Sequence, residues 1–349
     1  MRDILEQVHS WVASGDPVAL ATVVSTWGSS PRAVGARMAV RADGAMTGSV
    51  SGGCVEGAVV QEAQDILGGA PSHLIQFGVA DETAWEVGLA CGGSIEVFVQ
   101  PLDPDLLELL AEGYEARLTR VMATVIAGPE RMMGATGIFD HEDLIAGAWP
   151  DELIVEALGW IAATFERGSP GREQVEFNGE ELEVFIDLLL PTPTIIMIGG
   201  VHISIALAEM ARSLGYRTIV IDPRKYFATQ ERFPAIDQLI QSWPEEGLEA
   251  VGIDASTAVA VLTHDPKIDD PALKLALRSP AFYIGALGSR ATHAMRVERL
   301  RQDGLSNEVL ARLRAPIGLD LGARTPHEIA LSILAEITAS RHGMLATTS

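Results

Sequence analysis

Residues 194–198 (Thr-Ile-Ile-Met-Ile) form an unbroken apolar run that stops on Gly199-Gly200, and a helix-period pattern begins at His202. A short apolar run without alternation reads as a strand covered on both faces, and such strands belong to parallel sheets. The pattern then continues with a helix over 202–214 and a strand over 216–221. Further apolar strands follow over 257–262 and 282–284, with helices over 268–277 and 291–300 between them. Parallel neighbours need a crossover connection and a helix supplies it, so this alternation predicts a doubly wound parallel sheet. Ahead of it stands Pro191-Thr192-Pro193. Each proline fixes its own φ and restricts the residue before it, which makes a stiff junction. The chain therefore reads as α/β in two domains, residues 1–190 and residues 191–349.

The first domain has a different texture: glycine-rich, mixed, and without the regular alternation. A short helix is expected over 5–12, a buried strand over 18–24, and a hairpin over 36–46 that turns at Asp43-Gly44. A helix over 55–67 and a strand over 94–99 follow. Beyond Pro101, helical spacing returns over 106–115 and 152–165, and extended spacing over 121–126 and 182–189. Asn178-Gly179 is a hairpin signal. There is also a faint internal echo. Ala21-Thr22-Val23-Val24, Gly35-Ala36, Asp43, Gly48 and a helix are answered by Ala123-Thr124-Val125-Ile126, Gly134-Ala135, Glu142, Gly147 and a helix. If the echo is a repeat, its second copy has lost a glycine–cysteine turn and keeps the fold without the chemistry.

Charge narrows the function classes. With 47 acidic against 25 basic side chains the net charge is −22, a surface that repels phosphate backbones and argues against nucleic-acid binding. The most apolar stretch, 186–200, is interrupted by Asp187, Pro191 and Pro193, so no membrane span is expected. The start, Met1 to Glu6, carries acids and no apolar signal core, which reads as cytoplasmic. Two cysteines, neither in a CxxC pair, make no disulfide framework and suit a reducing compartment.

Both cysteines sit in glycine turns. The first turn is Gly48-Ser49-Val50-Ser51-Gly52-Gly53-Cys54-Val55-Glu56, leading into a helix. Paired glycines let backbone approach a ligand, and a helix start offers free N–H groups and a positive dipole end suited to an oxyanion. Cys54 at that start would lean towards thiolate, a soft partner for a soft metal or for sulfur transfer. A tight turn with a buried cysteine is the other reading. The second turn is Leu89-Ala90-Cys91-Gly92-Gly93-Ser94, a near mirror of the first. Zinc fits poorly, because two cysteines without nearby histidine pairs make no tetrahedral site. Trp27-Gly28-Ser29-Ser30-Pro31-Arg32 follows a buried strand. There Arg32 could meet a phosphate or carboxylate and Trp27 could stack on a planar ring, or the loop could be plain polar surface with one packed aromatic. Trp85, in an acid-rich segment, reads equally as packing.

In the second domain Gly199-Gly200-Val201-His202 stands where a dinucleotide-binding turn belongs, and Asp222 ends the next strand, placed to accept from a ribose hydroxyl. The fingerprint is imperfect: Val201 takes the second glycine position and Ser204 the third. Thr263-His264-Asp265 ends one later strand, with His264 either a site residue or an ordinary hydrogen-bonded histidine. Gly285-Ala286-Leu287-Gly288-Ser289-Arg290 ends another and opens a helix. Gly288, the Ser289 hydroxyl, the helix dipole and Arg290 together suit an anion. Thr325-Pro326-His327-Glu328 reads as a capping box, and Gly318 to Gly322 before it is closely glycine-spaced.

Taken together, Trp27 to Arg32, Gly48 to Glu56 and Leu89 to Gly93 resemble the N-terminal domain of the XdhC/CoxI family, the accessory proteins of xanthine dehydrogenase and carbon monoxide dehydrogenase. Thr263-His264-Asp265, Tyr283 to Arg290 and Pro316 to Ala323 resemble that family's Rossmann-like C-terminal domain. The resemblance implies a protein that binds the molybdenum cofactor, a molybdopterin in mono- or dinucleotide form. It would support sulfuration of the cofactor with a cysteine desulfurase and pass it to the apoenzyme of a molybdenum hydroxylase, as a homodimeric chaperone rather than a turnover enzyme. Carried over, Cys54 and Cys91 become sulfur ligands or relays facing the metal. Gly52, Gly53, Gly92 and Gly93 become close-approach backbone, and Gly288, Ser289 and Arg290 an anion clamp. Two departures stand out: the family's first turn usually reads Gly-Ala-Gly-His, and it often carries an acid where Arg324 and His327 stand here. The competing readings are an NAD(P)-dependent oxidoreductase built on the Rossmann-like half, against which Val201 argues, and a sulfur transferase carrying a persulfide on Cys54.

Overall fold

The structure is a computed structural model that describes residues 2–29, 32–78 and 93–344. It divides into two compact units, residues 1–191 and residues 192–349.

The first unit is a mixed α/β body built twice over. Its first copy comprises β1 (Val18–Trp27), β2 (Arg37–Arg41), β3 (Met46–Gly48), α2 (Glu56–Leu67), β4 (His73–Phe77) and β5 (Ser94–Pro101), preceded by α1 (Arg2–Ala13). After α3 (Pro104–Glu115) comes a second copy: β6 (Arg120–Ala127), β7 (Thr136–Phe139), β8 (Leu144–Gly147), α4 (Ile154–Arg167), β9 (Gly171–Phe177) and β10 (Glu180–Leu189). The two antiparallel sheets run β3-β2-β1-β5-β4 and β8-β7-β6-β10-β9, the same order element for element. The faint echo in the sequence is therefore a repeat of the whole motif. Its signature residues occupy matching places. Ala21 pairs with Met38 and Ala123 with Gly137. Val23 and Val125 each donate to the alanine of their Gly-Ala pair, at 2.9 Å in both copies. Gly48 and Gly147 are glycines for one reason, since a Cβ on either would collide with the carbonyl of Arg37 or Thr136 on the neighbouring strand.

In each copy the first strand bulges at the same point. The β1–β5 register shifts between Val23 and Ser25, and the β10–β6 register shifts between Glu183 and Val184. A bulge adds one residue and re-aims it, and here the extra residues are Val24 and Ile126. With Phe98 and Phe185, the matching residues of the last strands, they form one buried cluster. Nearby, Arg37 (2% exposed) donates from Nη2 to Asp187 Oδ2 at 2.5 Å, a buried ion pair that ties one copy to the other. Helix α2 covers the first sheet through Val59, Ala63 and Ile66, and α4 covers the second through Ala157 and Ile161. The hairpin turn at Asn178-Gly179 has both residues at positive φ, 52° and 79°, as a tight two-residue turn between twisted strands requires.

The second unit holds β11 (Thr194–Ile198), α5 (His202–Ser213), β12 (Arg217–Ile221), β13 (Gln238–Ile240), α6 (Pro244–Val251), β14 (Thr257–Val261), α7 (Pro266–Arg278), β15 (Tyr283–Ala286), α8 (Arg290–Gln302), α9 (Asn307–Leu310), β16 (Leu313–Arg314) and α10 (Pro326–Arg341). Its six strands are all parallel, in the order β13-β12-β11-β14-β15-β16. Alternate residues of β11 enter opposite cores. Ile195 and Met197 pack towards α5 and α10, whereas Ile196 and Ile198 pack towards α6, α7 and α8. That two-sided burial is why the run at 194–198 shows no alternation. The sheet winds one way from β11 to β12 and β13 and the other way through β14 to β16, so a topological switch point lies between β11 and β14. The capping box reads as its residues dictate: Thr325 caps α10, Pro326 takes the first turn, and Glu328 Oε2 accepts from the Thr325 N–H at 2.8 Å.

Candidate functional sites in the two units

In the first unit the loop from Ser49 to Val55 is organised by one carboxylate. Glu56, the first residue of α2, is 6% exposed. It accepts from Ser49 Oγ (2.6 Å), Val50 N, Ser51 N, Ser51 Oγ (2.5 Å), Gly53 N (2.9 Å) and Val55 N. Burial pushes its pKa up, but the donors, led by the Ser49 and Ser51 hydroxyls and the Ser51 N–H, outweigh that and hold it at about 2. The remaining amides are also taken. Ser49 N donates to Arg37 O, Gly52 N to Ser49 Oγ, and Cys54 N and Val55 N to Ser51 Oγ. The loop ahead of α2 therefore keeps its own N–H groups, Ser49 to Val55, for internal acceptors. Its amides turn inward onto Glu56 and the two serines, because the buried carboxylate is the nearest anion.

What the loop turns outward is Cys54, a free and exposed thiol. That excludes the buried-cysteine reading. Gly52 and Gly53 stand at φ 76° and 115°, and a Cβ on Gly53 would meet nothing. Arg32 is drawn to the same loop, its Nε donating to Ser49 O at 3.2 Å. Gly93 lies against the backbone of residues 27–29, where a Cβ would collide with Trp27 O and Ser29 O. Trp27 itself is 74% exposed. The structure therefore gathers Trp27, Arg32, Cys54 and Gly93 around one end of the first sheet. Cys91, Gly92 and Trp85 lie outside the described residues. Sequence reasoning passed over Glu56 as anything but the end of a motif. The signal was there, since two serines and two glycines ahead of an acid at a helix start are a donor set looking for an acceptor.

The second copy serves as an internal control. At the matching junction, β8 to α4, the chain runs Ala148-Trp149-Pro150 into a short helical turn, Asp151–Leu153, and Trp149 and Leu153 are buried among apolar neighbours. The same fold closes there without a caged carboxylate or a thiol.

In the second unit the candidate residues cluster at the carboxyl ends of the strands. Gly199 (φ 108°) donates to Ile221 O, and a Cβ on it would collide with Thr263. Gly200 is held on three sides. Its N–H donates to Asp222 Oδ2 at 2.7 Å, its carbonyl accepts from Arg232 Nη1 at 2.6 Å, and a Cβ would collide with Phe227 O. Asp222 is fully buried. Besides Gly200 it takes three hydrogen bonds from Arg224, through N, Nε and Nη2. Burial raises its pKa, yet Arg224 and the Gly200 N–H pull it below the usual carboxylate range. Ser204, also fully buried, donates from Oγ to Gly199 O at 2.5 Å, which explains how a hydroxyl stands in the third glycine position. His202 is exposed at the first helical residue.

Across the switch point, His264 is exposed and has φ 72°. Its N–H donates to Asp269 Oδ2, and Thr263 Oγ1 donates to Asp269 Oδ1 at 2.5 Å. Asp269 is 1% exposed; burial raises its pKa against the pull of Thr263 and Arg296. At the next strand Gly288 has φ 144°, Ser289 caps α8 by accepting from Thr292 N, and Arg290 is exposed.

Among the described residues no helix is long and apolar enough to cross a membrane. No group of three or more His, Cys, Asp or Glu side chains among them could hold a metal ion.

Comparison with known proteins gives a consistent answer. The chain is 29% identical over 341 residues to the molybdenum cofactor insertion chaperone PaoD of Escherichia coli (strain K12), spanning 97% of this chain and 88% of PaoD. It is 28% identical to a probable xanthine dehydrogenase subunit of Bacillus subtilis (strain 168), over 92% of both chains. The crystal structure of a xanthine dehydrogenase from Bacillus halodurans superposes with a TM-score of 0.77 at 25% identity, over 99% of this chain and 97% of that one. The family model "XdhC and CoxI family" matches residues 11–78, the part that carries the Cys54 loop, and "XdhC Rossmann domain" matches residues 195–337. The chain belongs to the XdhC and CoxI family.

Proposed function

We propose that this protein binds the molybdenum cofactor, supports its sulfuration, and hands it to a molybdenum hydroxylase of the xanthine dehydrogenase type. The observation that carries the reading is the contrast between the two copies of the first unit. One fold is used twice, and only the first copy spends a buried carboxylate and two serines on holding an exposed thiol in place. The relatives named for cofactor insertion and for xanthine dehydrogenase support it, since each aligns with nearly the whole chain.

The residues present suit such a ligand. The cofactor's metal arrives already held by sulfur atoms of its own organic part, so it asks of the protein one soft donor and not a full ligand shell. Cys54 offers that donor, with Arg32, held on the Ser49 carbonyl of the same loop, for an acidic group and exposed Trp27 for a planar ring. When bound, the cofactor supplies a molybdenum centre able to exchange an oxo ligand for sulfur. The chain's own part is to present the Cys54 thiol, to keep the loop rigid through Glu56, and to hold the ligand until a client takes it. The same reading assigns Cys91 and Gly92 to the site beside Gly93, a cysteine desulfurase as sulfur donor, and a cytoplasmic homodimer.

An NAD(P)-dependent oxidoreductase is the poorer reading. Gly200 and Asp222, the residues that would meet pyrophosphate and ribose, are engaged by Phe227, Arg232 and Arg224.

The test is transfer. Protein from a molybdenum-replete host is mixed with a cofactor-free hydroxylase, and recovered activity is measured for the parent, Cys54→Ala and Cys91→Ala. The reading expects transfer from the parent and loss in Cys54→Ala. Equal transfer by all three would remove the thiols from the site, and tight NAD binding without any transfer would sink the proposal.

A further inference from the structure

Of the helix amino ends that meet the carboxyl edge of the second unit's sheet, those of α5 and α8 follow glycine turns, and the chain treats these two differently. At α5 the turn is filled by the protein itself. Gly200 abuts the Phe227 carbonyl, its own carbonyl accepts from Arg232, and its N–H is spent on Asp222. At α8 the turn is bounded by side chains and not by backbone. A Cβ on Gly288 would touch only the Thr292 side chain, at 3.2 Å, and would lie 3.8 Å from Arg296 Nη1.

Arg296 is the second, independent observation. Its side chain is buried, 1% exposed, yet only Nη2 is engaged, donating to Leu287 O at 2.9 Å and to Asp269 at 3.3 Å. Nε and Nη1 have no partner. A buried guanidinium with two unpaired groups is expensive unless something completes it. Gly288 is the residue that faces Nη1: a Cβ there would lie 3.8 Å from it, and the missing side chain leaves a notch above the guanidinium. Beside it, His293 Nδ1 is likewise covered and without a partner. The Asp269–Arg296 pair also builds the walls. Asp269 fixes the Thr263–His264 turn after β14, and Arg296 fixes Leu287 after β15.

We propose that the Gly288 notch, between the β14 and β15 loop ends, binds a phosphate ester or diphosphate, with Arg296 as the buried counter-charge beneath it. The N–H groups come from the start of α8, and not from α5 where a dinucleotide fold places them. Thr292 and Ser289 form the rim. The site goes beyond the cofactor reading, because phosphate esters are common to pterins and nucleotides.

The test uses inorganic pyrophosphate titrated into the full chain by calorimetry. Two surface carboxylates report the location, since an acid at a helix amino end is well tolerated by the fold. Ala291→Asp, at the exposed start of α8, is expected to weaken pyrophosphate by at least ~10-fold, and His202→Asp, at the exposed start of α5, by less than ~2-fold. The paired change Arg296→Met with Asp269→Asn removes both buried charges and is expected to match Ala291→Asp. The reverse order of the two surface variants, or no pyrophosphate binding by the parent, would overturn the proposal. Parallel titrations with a phosphorylated pterin and with AMP separate the two sources of the oxyanion. Protein without molybdenum would defeat the function proposed above, and the pyrophosphate result would still be readable.

Discussion

Replacing Glu56 with glutamine is the perturbation that probes the thiol loop most sharply. The substitution keeps size and removes the charge, so six donors that now converge on a carboxylate face an amide with one acceptor oxygen and a donating NH2. The carboxyl is held at about 2 in the folded chain against an ordinary 4.5. Each pKa unit is worth about 1.4 kcal/mol, so the ionised group contributes about 3 kcal/mol at neutral pH. Because the folded value is depressed, that contribution is fully present above pH ~4.5 and is lost as pH falls towards 2. Native-state hydrogen exchange at Gly53, Cys54 and Val55 reads it locally. Glu56→Gln should lower protection there by about 100-fold at pH 7, and the gap from the parent should shrink by about half in free energy by pH 3. Protection equal in parent and variant, or a gap that does not change between pH 7 and pH 3, would refute the reasoning.

Other substitutions test other parts of the structure. Asp187→Asn leaves Arg37 buried without its anion and should destabilise the first unit by about 3–5 kcal/mol in urea unfolding, whereas Arg37→Met with Asp187→Leu should cost far less. Gly200→Ala drives a methyl into the Phe227 carbonyl and should lower the Tm of the second unit. Gly53→Ala has open space and should show only the backbone cost of positive φ, about 1–2 kcal/mol. Thr325→Ala removes the cap of α10 and should cost about 1 kcal/mol by thermal unfolding.

The parallel sheet was readable because burial on both faces leaves uninterrupted apolar runs, as in 194–198 and 257–261, and because each run is followed by a turn and a helix. The elements that escaped are short or lie at edges. β13 has three residues and β16 two, too few to show a period, and α6 is a single short helix of eight. The repeat was legible only as an echo because the copies share turn glycines and bulge geometry and little else; the phenylalanines that join them, Phe98 and Phe185, sit outside the matching stretch. At the site, the glycine–cysteine turn located the thiol, yet hydrogen-bond direction is a three-dimensional fact. Nothing in the order Ser49 to Glu56 says that the amides point in. Likewise Asp222 reads as a ribose acceptor until Arg224, two residues on, is seen folded back onto it at 2.7 Å.

Whether this chain carries the molybdenum cofactor is tested most directly by its metal and pterin content. The full chain is purified from a molybdenum-replete host and assayed by mass spectrometry and by fluorescence of the oxidised pterin. Molybdenum and pterin are expected together in equal amounts, reduced in Glu56→Gln and lost in Cys54→Ala. Protein that emerges free of both, from cells whose other molybdenum proteins are loaded, would contradict that role.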